Sequence, residues 1–200
     1  MPEMNRFARF FVNRSAARRA KGRYRWIREH VPVPEDAACL EIGCGNGEFC
    51  ARFVAGYRPA RYVATDVDPF QLDEANRTLR RRFSGNFPPG VGVEKADMLA
   101  LPFPERSFDV VLTFVALHHA GPAHRDFTRV PLALSQIDRV LRPGGCLIYT
   151  EILHKDAIRR WLADHGYSIV EIEQRFRVES VAARKPSASS EPAKPVAGPG

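Results

Sequence analysis

The stretch LEIGCGNGEF, residues 40–49, joins an apolar run to three glycines at alternate positions, Gly43, Gly45 and Gly47. The apolar run at 38–42 predicts a buried β-strand, and a helical pattern follows the glycines. Glycine lets the backbone approach a ligand without an intervening Cβ atom, while the start of a helix directs free amide N–H groups at an anion. A strand, a glycine-rich turn and a helix in this order predict a nucleotide-binding site.

Short apolar strands alternate with helical segments along most of the chain. The strands are predicted at residues 38–42, 62–65, 91–96, 110–114, 146–150, 168–174 and 178–183. The helices are predicted at about residues 4–29, 48–56, 70–83, 132–141 and 155–165, and a proline-containing loop covers 96–108. This alternation predicts an α/β fold with a mostly parallel sheet and helices on both faces. Too few residues separate the last two strands for a parallel crossover, so they must pair as an antiparallel hairpin.

Composition divides the chain into three parts. Residues 1–33 are predicted to form a basic helical segment that could act as a lid, and residues 34–184 to form the α/β domain. Residues 185–200 are predicted to be a disordered tail. The net charge is +7, and much of it falls in the first segment. The basic residues there are Arg6, Arg9, Arg14, Arg18, Arg19, Lys21, Arg23, Arg25 and Arg28. Such a block suits phosphates, an anionic membrane, an acidic substrate, an organelle presequence or a solvated helix face.

The remaining bulk features favour a globular protein of the cytoplasm. No apolar run approaches the ~20 residues of a membrane span, and no secretory signal is visible. The four cysteines lack the paired C-x-x-C spacing of a structural zinc site, so we expect reduced packing residues and no metal. They are Cys39, Cys44, Cys50 and Cys146.

The second predicted strand leads into Asp66, one strand after the glycine turn. An acidic residue at this place can accept hydrogen bonds from both hydroxyls of a ribose. The spacing therefore predicts a nucleotide of the adenosine type. A dinucleotide fingerprint, G-x-G-x-x-G, would need its third glycine at Glu48, which disfavours a nicotinamide-dependent oxidoreductase without excluding it.

Four motifs in series carry a family resemblance that covers roughly residues 37–151. The glycine stretch has the pattern E-x-G-x-G-x-G and resembles motif I of the class I S-adenosylmethionine-dependent methyltransferases. The stretch VATDVDP at 63–69 looks like the ribose-binding motif of that family. EKAD at 94–97, with the LPFP and SFDVV stretches after it, is similar to a third motif. RVLRPGG at 139–145 matches the turn typical of the type 11 methyltransferases, which include quinone-biosynthesis enzymes.

The resemblance implies S-adenosylmethionine as cofactor, residues 34–184 as the methyltransferase domain, and a Rossmann-like seven-stranded sheet whose last strand inserts antiparallel. Asp66 would hold the ribose, and Asp97 would receive the exocyclic amine of adenine with Met98 packing on the ring. Two other roles are open, since Asp66 can cap the next helix and Asp97 can form a turn. The cofactor-binding residues implied are Glu41, Gly43, Cys44, Gly45, Gly47, Asp66, Val67, Asp97, Met98 and Phe114.

Three histidines are candidates for catalysis, because they follow strands that end at the same edge of the sheet: His118, His119 and His154. A general base is needed only when the acceptor must lose its proton early. The histidines are also suited to lining the pocket without proton transfer, and our hypothesis is that His119 lines the methyl-acceptor pocket. Asp126 and Glu151 are further candidates.

The leading prediction is a methyltransferase acting on a small or lipid-like acceptor. The chain lacks an inserted helical cap after the fifth strand, so we expect an open acceptor side covered only by the basic N-terminal helix. An RNA methyltransferase using that helix is the alternative, although the N/D-P-P-Y motif of enzymes that methylate amino groups of bases is absent from 113–119. A non-catalytic cofactor-binding protein is also open, and the sequence leaves the oligomeric state undetermined. Phe7, Phe10 and Phe11 are interpreted as core or lid packing.

Overall fold

The computed structural model describes residues 15–121, 123 and 126–187. Its α-helices lie where the sequence predicted helices, with ends that agree to within a few residues except at the start of the first. They are α1 (Ala16–His30), α2 (Glu48–Tyr57), α3 (Pro69–Arg82), α4 (Val130–Val140) and α5 (Lys155–Asp164). The predicted start of the first helix, with Phe7, Phe10 and Phe11, lies outside the described residues, as does the tail beyond residue 187.

In the described part of the chain, seven strands form one sheet in the order β3-β2-β1-β4-β5-β7-β6. They are β1 (Ala38–Ile42), β2 (Arg61–Asp66), β3 (Val91–Lys95), β4 (Phe108–Phe114), β5 (Leu141–Glu151), β6 (Ser168–Arg175) and β7 (Val178–Arg184). The first five strands are parallel, and β7 pairs antiparallel with both β5 and β6. The predicted Rossmann-like sheet with an antiparallel terminal hairpin is confirmed.

Apolar side chains cover both faces of the sheet. On one face, α1, α2 and α3 bury Ile27, Phe53 and Leu79. On the other face, α4 and α5 bury Ile137 and Leu162. A parallel sheet covered on both sides requires strands that are apolar throughout, which is why β1 and β4 are nearly continuous apolar runs in the sequence. The predicted placement of helices on both faces is confirmed.

Strand β5 begins at Leu141, whereas the sequence analysis predicted its start at Cys146 after a turn. Leu141 pairs with Phe108, and the register then shifts before Val110 pairs with Cys146. Gly144 has φ +75° within this irregular section. The glycines of the motif therefore absorb an irregularity inside a longer strand, and the predicted boundary is wrong.

The arginine that opens the RVLRPGG motif, Arg139, stabilises a neighbouring loop. Its guanidinium donates hydrogen bonds to the carbonyl oxygens of Leu101 and Phe103, both at 2.8 Å. These carbonyls belong to the proline-containing loop before β4, which has no strand partner to satisfy them. Unpaired backbone acceptors are costly where water is excluded, so the arginine stabilises the loop in place.

The four cysteines are all buried and free, as expected for reduced packing residues. No group of three or more His, Cys, Asp or Glu side chains that could hold a metal ion occurs among the described residues. Within the same residues, no helix combines the length and apolar character needed to cross a membrane.

Candidate active site

A cavity of about 1330 Å³ opens at the carboxyl edge of the sheet. The strand order reverses between β1 and β4 at this edge, which is the usual position of ligands in open α/β sheets. Typical ligand pockets measure roughly 300–1,000 Å³, so this cavity has room for a nucleotide-sized cofactor and a second molecule. The ends of the parallel strands line it, together with α1 and the β6–β7 hairpin.

The glycine turn follows β1 and is anchored to the end of β2. Gly43 and Cys44 both donate their backbone N–H to the carbonyl oxygen of Thr65, at 2.8 Å. Gly43, Gly45 and Gly47 have φ values of +73°, +54° and +75°. Residues with a side chain rarely adopt such values, so the turn needs glycine for its backbone conformation.

A side chain at two of these glycines would also collide with the protein. A Cβ atom on Gly43 would lie 2.7 Å from the Cβ of Ala116, and one on Gly47 would lie 2.8 Å from the Cα of Ala75. At Gly45 no atom lies within 4 Å of such a Cβ. Gly43 and Gly45 line the cavity, whereas Gly47 lies behind its wall and lets α2 start close against α3.

Asp66 ends β2 and lines the cavity beside the turn. One carboxylate oxygen accepts the backbone N–H of Gly45, and the other accepts that of Asp68, each at 3.0 Å. Burial raises the pKa of Asp66, and these hydrogen bonds oppose the rise. The cap of α3 is Asp68, whose side chain accepts the N–H of Phe70 at 3.0 Å. The alternative role of Asp66 as the helix cap is therefore wrong.

Glu41, the acidic residue ahead of the glycines, is only 2% exposed at the base of the cavity. The phenol of Tyr62 donates a hydrogen bond to its Oε2 at 2.8 Å. Burial raises the pKa of Glu41 to about 8, while the Tyr62 hydrogen bond and the charge of Arg23 oppose the rise. A carboxyl group in this state keeps its proton at neutral pH, and a positive charge brought beside it would favour the ionised form.

The other residues implied by the resemblance also reach the cavity. Val67, the residue after β2, lines it, and so does Phe114, the last residue of β4. Buried Met98 lines it beside exposed Asp97. The Oδ1 of Asp97 accepts the backbone N–H of Leu99 at 2.9 Å, so Asp97 forms the turn that was its alternative role. Asp97 also lines the cavity, so the two roles are compatible. Gly47 is therefore the one implied residue outside the lining.

Helix α1 forms one wall of the cavity. The sequence predicted this helix as a possible lid but did not predict which of its residues face the cavity. Trp26 is buried, and the ring of Tyr24 packs edge-on against that of Tyr57 in α2, with centroids 5.7 Å apart. These contacts turn Arg19 and Arg23 toward the cavity. The only sequence signal for this wall was a set of aromatic residues interleaved with the arginines.

Arg23 carries a positive charge into the cavity. Its guanidinium lies 4.8 Å from the centroid of the Phe114 ring. Burial lowers the pKa of Arg23 to about 10, and the carboxylates of Glu41 and Glu151 oppose the fall. The guanidinium is still protonated at neutral pH, so Arg23 places a fixed cation on the cavity wall.

Of the candidate histidines, His119 lines the cavity and His118 does not. The Nδ1 of His118 lies 2.8 Å from Oε2 of Glu151, and both side chains are buried. Glu151 also accepts the backbone N–H of Leu117 through Oε1 at 2.8 Å. The two histidine rings lie 4.1 Å apart between centroids. Glu151 and His118 therefore position the short segment that presents His119.

The two remaining candidates stand apart from the cavity. His154 precedes α5, and its ring lies 5.3 Å from that of Phe127 between centroids. The Oδ1 of Asp126 accepts the backbone N–H of Thr128 at 2.8 Å, which suits a loop role.

The family profile of the type 11 methyltransferase domain matches residues 40–149. The chain belongs to this methyltransferase family. The matched span runs from β1 to β5 and includes the glycine turn, Asp66 and the His118–His119 segment. The resemblance to the class I S-adenosylmethionine-dependent methyltransferases is thereby confirmed.

Two curated relatives illustrate the range of similar sequences. The phthiotriol/phenolphthiotriol dimycocerosates methyltransferase 1 of Mycobacterium ulcerans (strain Agy99) is 33% identical over 137 residues, which cover 68% of this chain and 45% of the relative. The fatty-acid O-methyltransferase of Mycolicibacterium smegmatis is 32% identical over 127 residues, covering 64% of this chain and 41% of the relative. The chain thus spans less than half the length of these relatives.

Solved structures show the same fold. An S-adenosylmethionine-dependent methyltransferase from Mesorhizobium loti superposes with a TM-score of 0.65 at 18% identity, covering 83% of this chain and all of the other. Similarity at this identity concerns the fold, and it agrees with the seven-stranded sheet described above.

Proposed function

We propose that this protein transfers a methyl group from S-adenosylmethionine to a small or lipid-like acceptor. The observation that carries the proposal is the junction of the bare glycine turn with Asp66, where a backbone N–H and a carboxylate meet at 3.0 Å on the cavity wall. A glycine turn favours an anionic or zwitterionic ligand, and a strand-end carboxylate favours a ribose. S-adenosylmethionine carries both features.

The cavity residues fit the three parts of that cofactor. Gly45 has no atom within 4 Å of the position a Cβ would take, so a ligand can approach its backbone closely, which suits the methionine portion. Gly43 lines the cavity beside it. Asp66 suits the ribose hydroxyls, and Asp97 with Met98 suits the adenine. The cofactor supplies a methyl group already activated by a sulfonium, so positioning of the acceptor provides most of the rate.

His119 is the side chain that we place against the acceptor. It lines the cavity, and the buried Glu151–His118 pair fixes the segment that carries it. Its imidazole can orient an acceptor, or accept a proton from an acceptor that must lose one early. The acceptor class rests on the two relatives named for lipid substrates and on a cavity large enough for a second molecule. Four buried free cysteines suit a reducing compartment, and we place the reaction in the cytoplasm.

The test incubates the purified protein with methyl-labelled S-adenosylmethionine and a whole-cell extract. We expect label in the organic-extractable or small-molecule fraction. The variant Asp66→Ala is expected to lose this labelling, while Asp73→Ala, which changes an exposed carboxylate of α3, keeps it. Label confined to an RNase-sensitive fraction would favour the RNA alternative, and no label in any fraction would favour a non-catalytic cofactor-binding protein.

A further inference from the structure

The tip of the β6–β7 hairpin presents an aromatic side chain to water. Phe176 is 92% exposed, the highest value among the large apolar residues described. Arg175 pairs with Val178, so Phe176 and Arg177 are the two central residues of the turn. Phe176 has φ +55°, and two-residue hairpin turns favour glycine at a first central position with positive φ. Both the solvent and the backbone therefore disfavour phenylalanine here, which indicates a function outside the folded core.

Two arginines flank this phenylalanine. The Arg177 guanidinium lies 5.8 Å from the centroid of the Phe176 ring. The Arg175 guanidinium lies 2.7 Å from the carboxylate of Glu173, and both side chains reach the cavity wall. An exposed aromatic ring between cationic side chains is suited to the interface of an anionic bilayer, where the ring enters the headgroup region and the cations meet phosphates.

The hairpin tip adjoins the cavity, because Arg175 and Val178, the paired residues on either side of it, are in the lining. Glu173, Arg175, Val178 and Ser180 of the hairpin line the cavity, as do Arg19 and Arg25 of α1. Both the hairpin and α1 therefore contribute arginines to the cavity wall. Val178 and Ile152, also in the lining, are 37% and 38% exposed and add apolar surface beside the tip.

We propose that this face docks on an anionic lipid bilayer, with Phe176 inserted between headgroups and the cavity mouth turned toward the membrane. The orientation goes beyond the proposed methyl transfer, because binding to lipid needs neither cofactor nor turnover. It is supported by the charge complementarity of the flanking arginines and by the exposed ring at their centre. A lipid-like acceptor would then reach the cavity from the bilayer itself.

The test measures sedimentation of the full-length protein with vesicles of phosphatidylcholine alone or with phosphatidylserine added. We expect binding that requires phosphatidylserine and weakens as salt rises. Phe176→Gly should weaken binding by about tenfold. It should not lower the thermal melting temperature, because glycine suits the positive φ. Arg175→Gln with Arg177→Gln should weaken binding by about fivefold for each arginine removed.

Matched control positions lie at the amino ends of the parallel strands, away from the hairpin tip at the carboxyl ends. Ile169 is 45% exposed at the start of β6, so Ile169→Ser removes an exposed apolar side chain at the other end of the hairpin. Arg58→Gln with Arg82→Gln removes the same charge from an exposed site after α2 and at the end of α3. Both controls should bind as the wild type does. Equal binding to neutral vesicles, equal losses in the controls, or tip-dependent binding to a short RNA in place of vesicles would each overturn the proposal.

Discussion

The guanidinium of Arg23 lies 4.8 Å from the centroid of the Phe114 ring, so a helix from the start of the described chain meets the end of a central strand. The contact places a cation inside the cavity, where the carboxyl groups of Glu41 and Glu151 oppose the fall in the pKa of Arg23 that burial causes. Within the described part of the chain, no hydrogen bond joins this guanidinium to another residue. Since Arg23 lines the cavity, we expect its N–H groups to meet a bound ligand there.

Replacing Arg23 should weaken binding of the amino-acid part of the cofactor. A charge-assisted hydrogen bond is worth about 1.5–3 kcal/mol, which is a loss of about tenfold or more in affinity. We expect Arg23→Met to reduce affinity for S-adenosylhomocysteine but not for methylthioadenosine, which lacks the carboxylate. Calorimetric titration measures both, and Arg18→Met on the exposed face of α1 is the control. Equal losses for the two ligands, or none, would show that Arg23 does not hold this carboxylate.

Alanine substitutions at the three glycines of the turn should have different effects on stability and on cofactor affinity. Gly43→Ala and Gly47→Ala introduce a Cβ atom 2.7 Å or 2.8 Å from its neighbour at positive φ, so each should lower the free energy of unfolding by about 1–3 kcal/mol. Gly45→Ala meets no atom and should cost stability only through its φ, while blocking the ligand from the backbone. Urea unfolding and cofactor titration measure the two effects. Gly45→Ala with normal affinity would contradict a ligand at this backbone.

Glu41 should make stability depend on pH. Its pKa is about 8 in the folded protein, whereas a glutamate in an unfolded chain has a pKa of about 4.3. Between these values the folded protein keeps a proton that the unfolded chain has lost, so the free energy of unfolding falls as pH rises and levels off above pH 8. Glu41→Gln lacks this group. The difference between wild type and variant should therefore fall by up to about 1.4 kcal/mol per pH unit.

Urea unfolding of both proteins at pH 5, 6.5 and 8 checks the expectation. The Tyr62 phenol can still donate to the amide oxygen of the glutamine, so the buried hydrogen bond is retained in the control. Parallel pH profiles for the two proteins would show that Glu41 ionises in the folded state as it does in the unfolded chain.

Alanine substitutions at His119 and at His118 should have different effects, the first on activity and the second on stability. His119→Ala should reduce turnover or acceptor affinity and leave S-adenosylhomocysteine binding intact, because His119, unlike His118, lines the cavity. His118→Ala should lower the free energy of unfolding by about 1–3 kcal/mol, since it leaves the buried Glu151 without that partner. Steady-state kinetics and thermal melting measure the two effects, with His165→Ala at an exposed position as control. Unchanged turnover and acceptor affinity in His119→Ala would contradict its role.

The glycine turn and Asp66 could be predicted from the sequence, because each depends on residues that are adjacent in the chain. The positive φ of Gly43 requires glycine, and Asp66 follows its strand directly, so both are recognisable in the sequence. The fold followed from the alternation of apolar runs with helical periods and from the short link between β6 and β7. The family motifs supplied the remaining cofactor residues.

The walls of the site were not predictable in the same way. Arg23 reaches the cavity only because Tyr24 and Trp26 pack α1 against its neighbours, and tertiary contacts of this kind leave little periodic signal beside many arginines. Arg175 and Ser180 reach it only because β7 inserts beside β5 and carries the hairpin to the carboxyl edge. Asp68 took the capping role that the sequence also allowed to Asp66.

The most direct test of the central claim is calorimetric titration of the purified protein with S-adenosylhomocysteine and, separately, with NADH. We expect one S-adenosylhomocysteine per chain, no binding of NADH, and a loss of about tenfold or more in affinity for Asp66→Asn, which removes the charge and keeps one of the two oxygens that accept from Gly45 and Asp68. Binding of NADH without S-adenosylhomocysteine, or unchanged affinity in the variant, would contradict a methyltransferase site built on this turn.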